Sequence, residues 1–204
     1  MKHENPALKL KEALASGKAL HGTFMKAQEP ALCECMAYVG YDFVIIDTEH
    51  GATGMETATN LVRAAHGAGM PAIIRVLFNH PGLIQKAVDT GAAGIMVPQV
   101  NFPEAARAAV QAAKFYPEGH RGVCCFTRAA RYGARTPAEH VVQANQETTV
   151  MVQIEGEEGV RNAAEICAQP GVDLVFLGPF DLSQSLGIPG QVKDPRVKEK
   201  LREV

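Results

Sequence analysis

Polar side chains with chemical potential collect where the apolar runs of this sequence stop. Asp47, Glu49 and His50 follow the run at 43–46, and Arg75 follows "AII". Gln153 and Glu155 close "VMVQIE", and Asp181 follows "LVFLGPF". Glu155 and Asp181 end consecutive apolar runs. If those runs are neighbouring strands, about 4.8 Å apart, both carboxylates can face one point. Two such groups repel unless one is protonated or a cation lies between them. Two protein oxygens leave open positions around a hard divalent ion, which is how Mg²⁺ is usually held. The competing reading is that each acid caps the helix that follows. Arg75, at the end of a buried run, needs an anionic partner. A substrate oxyanion would serve, and so would a salt bridge to Asp47 or Glu49. His50 stands beside acids able to orient its imidazole for acid–base work. His3, His21, His66, His80, His120 and His140 have no comparable setting.

Six apolar, β-rich runs must position these groups: residues 21–26, 43–49, 72–76, 94–100, 150–155 and 174–182. Their centres are continuously hydrophobic, as in parallel strands covered on both faces. The segments between them, such as "METATNLVRAAHGAG" and "PGLIQKAVDTGA", have helical apolar spacing and end in Gly. Alternating strand and helix gives a (β/α)8 barrel or an open doubly wound sheet. Polar residues at the C-terminal ends of several strands favour the barrel, and no Gly-rich phosphate fingerprint follows the first strand. The expected fold is therefore α/β, a TIM (β/α)8-type barrel. One domain spans residues 1–204, with about six βα units and no seventh or eighth strand. "DPRVKEKLREV" reads as an amphipathic helix after strand six, and the N-terminal stretch as a surface helix across the mouth of the fold. Residues 115–140, rich in Gly, Arg and aromatics, are expected as a long loop at the barrel mouth. Arg121, Arg128 and Arg131 there could meet an anionic substrate, form subunit contacts, or simply be solvated.

The chain has 204 residues, 47% of them hydrophobic, and a formal charge of −2. Neither nucleic acid nor an anionic membrane is indicated as a partner. No run is apolar for the roughly 20 residues a span needs, and the N-terminus lacks a signal-peptide h-region. Five cysteines in no disulfide framework suit a reducing cytosol. Cys33 and Cys35 are expected on a helix, facing different ways, as buried structural thiols.

"GYDFVIIDTEHG", "PAIIRV", "GAAGIMVPQV", "MVQIEGEEGV" and "GVDLVFLGPFDLSQSLGIPGQ" together resemble the HpcH/HpaI family of metal-dependent pyruvate aldolases, from about residue 20 onward. The resemblance implies a class II aldolase, an aldehyde-lyase acting on 4-hydroxy-2-oxo acids through a pyruvate enolate. It implies Glu155 and Asp181 as ligands of Mg²⁺, Mn²⁺ or Co²⁺. It implies that Arg75 binds the keto oxygen of pyruvate, and that His50, oriented by Asp47, works through a metal-bound water. Gln153 would lie beside the ketoacid. Backbone N–H groups of Phe180 and Asp181 would take its carboxylate. It also implies a cytoplasmic homo-oligomer, dimer to hexamer, built by swapping an eighth helix. "DTEHG" departs from the commoner "DGEH", and Phe180 stands where small residues also occur. Three other readings remain: a citryl- or malyl-CoA-type lyase, a Schiff-base aldolase using Lys26, and a non-catalytic barrel fragment.

Overall fold

The computed structural model describes residues 5–204. Residues 1–4, with His3 and the start of the expected N-terminal helix, lie outside the described residues. Six parallel strands form one sheet in sequence order. They are β1 (Gly22–Met25), β2 (Phe43–Asp47), β3 (Ala72–Arg75), β4 (Gly94–Val97), β5 (Thr149–Ile154) and β6 (Leu174–Leu177). The connecting helices are α1 (Pro6–Ala15), α2 (Pro30–Tyr38), α3 (Met55–Gly67), α4 (Pro81–Asp89), α5 (Pro103–Ala113), α6 (Pro137–Glu147), α7 (Glu157–Arg161) and α8 (Ala163–Cys167). After β6 come α9 (Pro179–Ser185) and α10 (Pro195–Glu203). Each expected strand and helix is present, and the sheet is a six-strand half-barrel of βα units.

Alternation along each strand makes two cores. Val44, Ile46, Ile74, Ile95, Val97, Val150, Val152 and Ile154 face the helices. Ile45, Ile73, Met96 and Met151 face the concave side, with Phe24 and Phe176 packed against them. Continuous burial of both sets explains why the runs look uniformly apolar. Phe24 on β1 and Phe176 on β6 meet edge-to-face at 5.7 Å, although their strands are not paired. The sheet is therefore strongly curled, as a barrel wall must be. Gly69 (φ 77°) and Gly91 (φ 75°) end α3 and α4 in the left-handed region, the Gly-terminated turns expected from the sequence.

Two expectations about placement are corrected. Helix α1 does not cross the mouth. Lys9 Nζ donates to Gly69 O (3.1 Å), and Lys11 Nζ pairs with Asp173 Oδ1 (2.6 Å). Both partners precede strands, so α1 closes the N-terminal end, burying Leu10 against the inner core. Burying one Leu side chain is worth about 2 kcal/mol. The segment 115–140 is not a mouth loop either. It follows α5 and leads through α6 into β5, which places it at the same N-terminal end. Arg121 Nη2 pairs there with Asp89 at the end of α4 (2.6 Å), and Arg128 Nη1 donates to Thr90 O (2.7 Å). The last residues of the supposed loop start a helix with a complete Thr136–Glu139 capping box. A third expectation fails by half: Cys33 is buried but Cys35 is exposed, because α2 turns them to different sides.

Candidate active site

Strand pairing sets the site. Asp47 and Arg75 are partners at the last register position of β2 and β3. Period-two alternation turns both toward the concave side. Arg75 Nε donates to Asp47 Oδ1 (2.9 Å) and Arg75 Nη2 to Asp47 Oδ2 (2.5 Å), a forked, charge-assisted pair. The Asp47 side chain is fully buried. Burial alone raises its pKa, but the Arg75 hydrogen bonds, the His50 N–H, the Arg75 charge and the Glu49 N–H outweigh it. The carboxyl is held below its usual value. The Arg75 guanidinium also lies over the Phe24 ring, 4.7 Å from its centroid. Its orientation is thus fixed by an acid on one strand and an aromatic on another.

Glu49 is a second acid on Arg75. Its Oε2 lies 2.9 Å from Arg75 Nη1 but is buried without any hydrogen-bond partner, so the contact is a charge contact only. Burial raises the Glu49 pKa. Arg75 and His50 pull it back, Asp47 and Asp181 push it up again, and the net value lies above the ordinary one.

Glu155 sits just past β5. Its Oε1 accepts from the Gln99 backbone N–H (2.8 Å) and its Oε2 from Gln153 Nε2 (2.9 Å). Gln153 Oε1 in turn is 3.5 Å from Arg75 Nη1, a long contact. Burial raises the Glu155 pKa first and the Gln99 N–H lowers it. Asp181 and Glu49 raise it further, Arg75 lowers it slightly, and the net shift is upward. Three carboxylates, Glu49, Glu155 and Asp181, therefore feel one another across the mouth. Gly178, between β6 and α9, keeps Glu155 in place: a Cβ there would fall 2.6 Å from Glu155 Oε2.

The capping alternative fails for both acids. The N-cap of α7 is Gly156 and that of α9 is Gly178, and neither makes a side-chain cap bond. Asp181 is exposed in the first turn of α9, with no hydrogen bond to the helix. Glu155 and Asp181 fit a hard divalent cation. They are oxygen donors on adjacent elements, they repel each other, and each carboxylate oxygen retains a lone pair. Among the described residues no group of three or more His, Cys, Asp or Glu side chains forms a ready-made metal cage.

The structure brings Asp47, Arg75, Gln153 and Glu155 into one hydrogen-bonded chain. It does not join Asp47 to the His50 imidazole. Asp47 Oδ1 accepts from the His50 backbone N–H (3.1 Å), while His50 Nε2 lies 3.8 Å from Glu49 Oε1 with its side chain 59% exposed. The Phe180 side chain is exposed, and the N–H groups of Phe180 and Asp181 belong to the first helical turn, where no intrahelical acceptor exists. Lys26 Nζ lies 3.6 Å from Asp47 Oδ2, as part of the same charge network. Sequence reasoning gave Glu49 no role beyond a salt bridge, which it makes here with Arg75, and gave Gln99 none at all. Gln99 adopts a positive φ of 55° to aim its N–H at Glu155, a rare conformation for a non-glycine residue. Nothing in the sequence around it signals this.

The family described as HpcH/HpaI aldolase/citrate lyase matches residues 20–204. A hydroxypyruvate/pyruvate aldolase of Sagittula stellata is 38% identical over 193 residues, covering 95% of this chain and 76% of that protein. A 5-keto-4-deoxy-D-glucarate aldolase of Shigella boydii is 33% identical over 196 residues, covering 96% and 76%. Among solved structures, a family member from Burkholderia cenocepacia superposes with a TM-score of 0.90 at 34% identity, covering 96% of this chain and 78% of that one. The citrate synthase SbnG superposes with a TM-score of 0.86 at 36% identity, covering 96% and 76%. With the carboxylate pair, the Arg75–Asp47 fork and the half-barrel wall already in place, these matches settle one point: the chain belongs to the HpcH/HpaI aldolase/citrate lyase family.

Proposed function

We propose that the chain is a divalent-metal-dependent aldolase that cleaves or forms 4-hydroxy-2-oxo acids through a pyruvate enolate. The observation that carries this reading is the uncapped pair Glu155 and Asp181 beside a guanidinium locked by Asp47. Relatives named as aldolases, at 33–38% identity over most of the chain, support it.

Glu155 and Asp181 would hold the ion, Mg²⁺, Mn²⁺ or Co²⁺. When bound, the ion supplies a Lewis acid for the ketoacid's keto oxygen. Arg75 donates hydrogen bonds to that same oxygen as negative charge develops on it. Asp47 and Phe24 hold the guanidinium still, so no reorganisation is needed at the moment of reaction. Gln153, fixed by Glu155, lines the ketoacid. The free N–H groups of Phe180 and Asp181 receive its carboxylate. In cleavage, the proton of the 4-hydroxyl passes to the His50 imidazole and the C3–C4 bond breaks. The aldehyde leaves, and the bond's electron pair becomes the enolate. A proton then returns to C3 and gives pyruvate. Glu49, with its raised pKa beside His50, is placed to take part in that proton traffic. The reading carries with it a cytosolic location and a homo-oligomeric assembly. Sedimentation of the purified chain tests the second. Among the described residues no helix is long and apolar enough to cross a membrane.

The test is release of pyruvate from a 4-hydroxy-2-oxo acid, coupled to lactate dehydrogenase. Activity should vanish after treatment with a chelating resin, return with Mn²⁺, and collapse in Arg75→Ala. Full activity after exhaustive metal removal, or an unchanged rate in Arg75→Ala, contradicts the proposal. Turnover that requires CoA would decide for an acyl-CoA lyase, and borohydride trapping of pyruvate would reveal a Schiff base at Lys26.

A further inference from the structure

One cavity among the described residues lies away from the carboxylate site. It encloses about 700 Å³ at the N-terminal end of the strands, between α1, α3, α6 and the 115–140 segment. That volume is ample for a small metabolite. Its lining is markedly basic in a chain whose net charge is −2: Arg63, Arg121, Arg128, Arg131 and Arg135 all face it. The acids available are few. Glu147 meets Arg135 at 3.3 Å, and Asp89 meets Arg121 at 2.6 Å. Among the described residues Arg63, Arg128 and Arg131 pair with no carboxylate.

Three further observations mark this as a built site rather than a basic surface. His140 is fully buried, lines the cavity, and neither ring nitrogen hydrogen-bonds to a described residue. Arg121 is almost wholly buried, with its guanidinium 4.6 Å over the Phe115 ring, and its Nε also has no partner. Buried polar atoms left unpaired are costly, so they mark places where a polar partner is expected. Third, Arg131 and Tyr132 adopt positive φ angles of 53° and 55° in succession, a strained turn that presents both side chains to the cavity. His66 lies in the same wall, and burial followed by the Arg128 charge holds its imidazole neutral, with a pKa of about 3. A neutral imidazole adds hydrogen bonding without adding repulsion.

We propose that this cavity binds a small polyanion bearing two or more carboxylate or phosphate groups, at a site separate from the carboxylate pair. Arginine forks recognise both groups bidentately. A concave space of this volume lined by arginines suits a small molecule over a flat protein partner. The two sites lie at opposite ends of the same strands. Gly69 and Gly91, before β3 and β4, line the cavity, whereas Arg75 ends β3 at the mouth.

The experiment is thermal unfolding and calorimetric titration of the full chain, freed of metal on a chelating resin and held at constant ionic strength with NaCl. Pyrophosphate and citrate are the probes. The expected result is a saturable rise in Tm with at least one probe, weakened tenfold or more in Arg63→Ala and in Arg131→Ala, and kept in Asp181→Asn. Both arginines are exposed and outside the hydrogen-bonded framework, so these variants should fold. Response to pyrophosphate alone would assign phosphate groups, and response to citrate alone would assign carboxylates. A shift no larger than NaCl gives, one that survives the Arg63→Ala/Arg131→Ala double variant, or one lost in Asp181→Asn would overturn the proposal. So would indifference to both probes with a changed sedimentation coefficient in the double variant, which would make the cavity a contact between copies.

Discussion

Asp47 and Arg75 face each other at the final paired position of β2 and β3, and the acid grips the guanidinium with both oxygens, at 2.9 and 2.5 Å. This one relationship joins fold to chemistry. The register that pairs the strands also aims the cation.

Asp47→Asn breaks the fork and leaves a buried guanidinium with Glu49 as its remaining acid. Removing one partner of a buried pair typically costs about 3–5 kcal/mol. Urea denaturation should show a loss at the lower end of that range, because Glu49 compensates in part. Turnover should fall by about two orders of magnitude as Arg75 loses its orientation. Wild-type stability together with wild-type turnover would show that the fork positions nothing.

Gly178→Ala probes the carboxylate pair without touching a ligand. The added methyl meets Glu155 Oε2 and must displace it. Mn²⁺ affinity, measured by the loss of free-ion EPR signal, should weaken by about tenfold or more, as it does when a group that positions a ligand is altered. The backbone angles at Gly178 suit alanine, but the methyl also falls 2.7 Å from Glu155 Cβ, so the melting temperature should drop as well. Affinity is therefore compared on protein shown to be folded at the assay temperature. Unaltered Mn²⁺ affinity would remove Glu155 from the ligand set.

His66 makes the fold sensitive to acid. Burial, then Arg128, lowers its folded pKa to about 3 from an ordinary 6.5. Between those values the unfolded chain binds more protons than the folded one. Stability therefore falls as pH drops through 6.5, and the loss levels off only near 3. From pH 7 to pH 5 the linkage amounts to about 1–2 kcal/mol. His66→Gln should lose that much less over the same interval, in urea titrations done without polyanions. Parallel pH profiles for the two proteins would contradict the assignment.

Thiol accessibility tests α2 and the 115–140 segment together. Cys35, Cys124 and Cys167 are exposed and should react quickly with Ellman's reagent. Cys33 is buried with its pKa pushed up to about 11, by burial first and Glu34 second, and should react only on unfolding. Mass mapping of the labelled peptides reads the result, and early labelling of Cys33 would contradict the packing of α2.

The inner strands β2 to β5 were readable from sequence because both their faces are buried, so apolar runs such as 43–46 and 72–74 have no polar interruption. Arg75, Glu155 and Asp181 were readable for the opposite reason, as charges that interrupt such runs at their C-terminal ends. Placement across the chain was harder. Residues 115–140 read as a mouth loop when the stretch after β4 counts as one long βα connection, but α5 (Pro103–Ala113) has already carried the chain back to the N-terminal end. The Thr136–Glu139 capping box was the available signal of a helix start. Glu49 was readable as a salt-bridge partner of Arg75, and the two meet at 2.9 Å. Its place beside the His50 imidazole depends on how the chain turns after β2, which spacing does not encode. The link from Asp47 to His50 was misjudged for a related reason: adjacency in sequence delivered the His50 N–H, and the imidazole went elsewhere.

The most direct test of the central claim is deuterium exchange at C3 of pyruvate, followed by proton NMR in D₂O with metal-stripped protein and added Mg²⁺. It reports enolate formation with no aldehyde and no assumption about the physiological substrate. The account predicts exchange that requires the cation and disappears in Arg75→Ala and Glu155→Gln. Exchange that proceeds equally well without the cation, or in either variant, would contradict it.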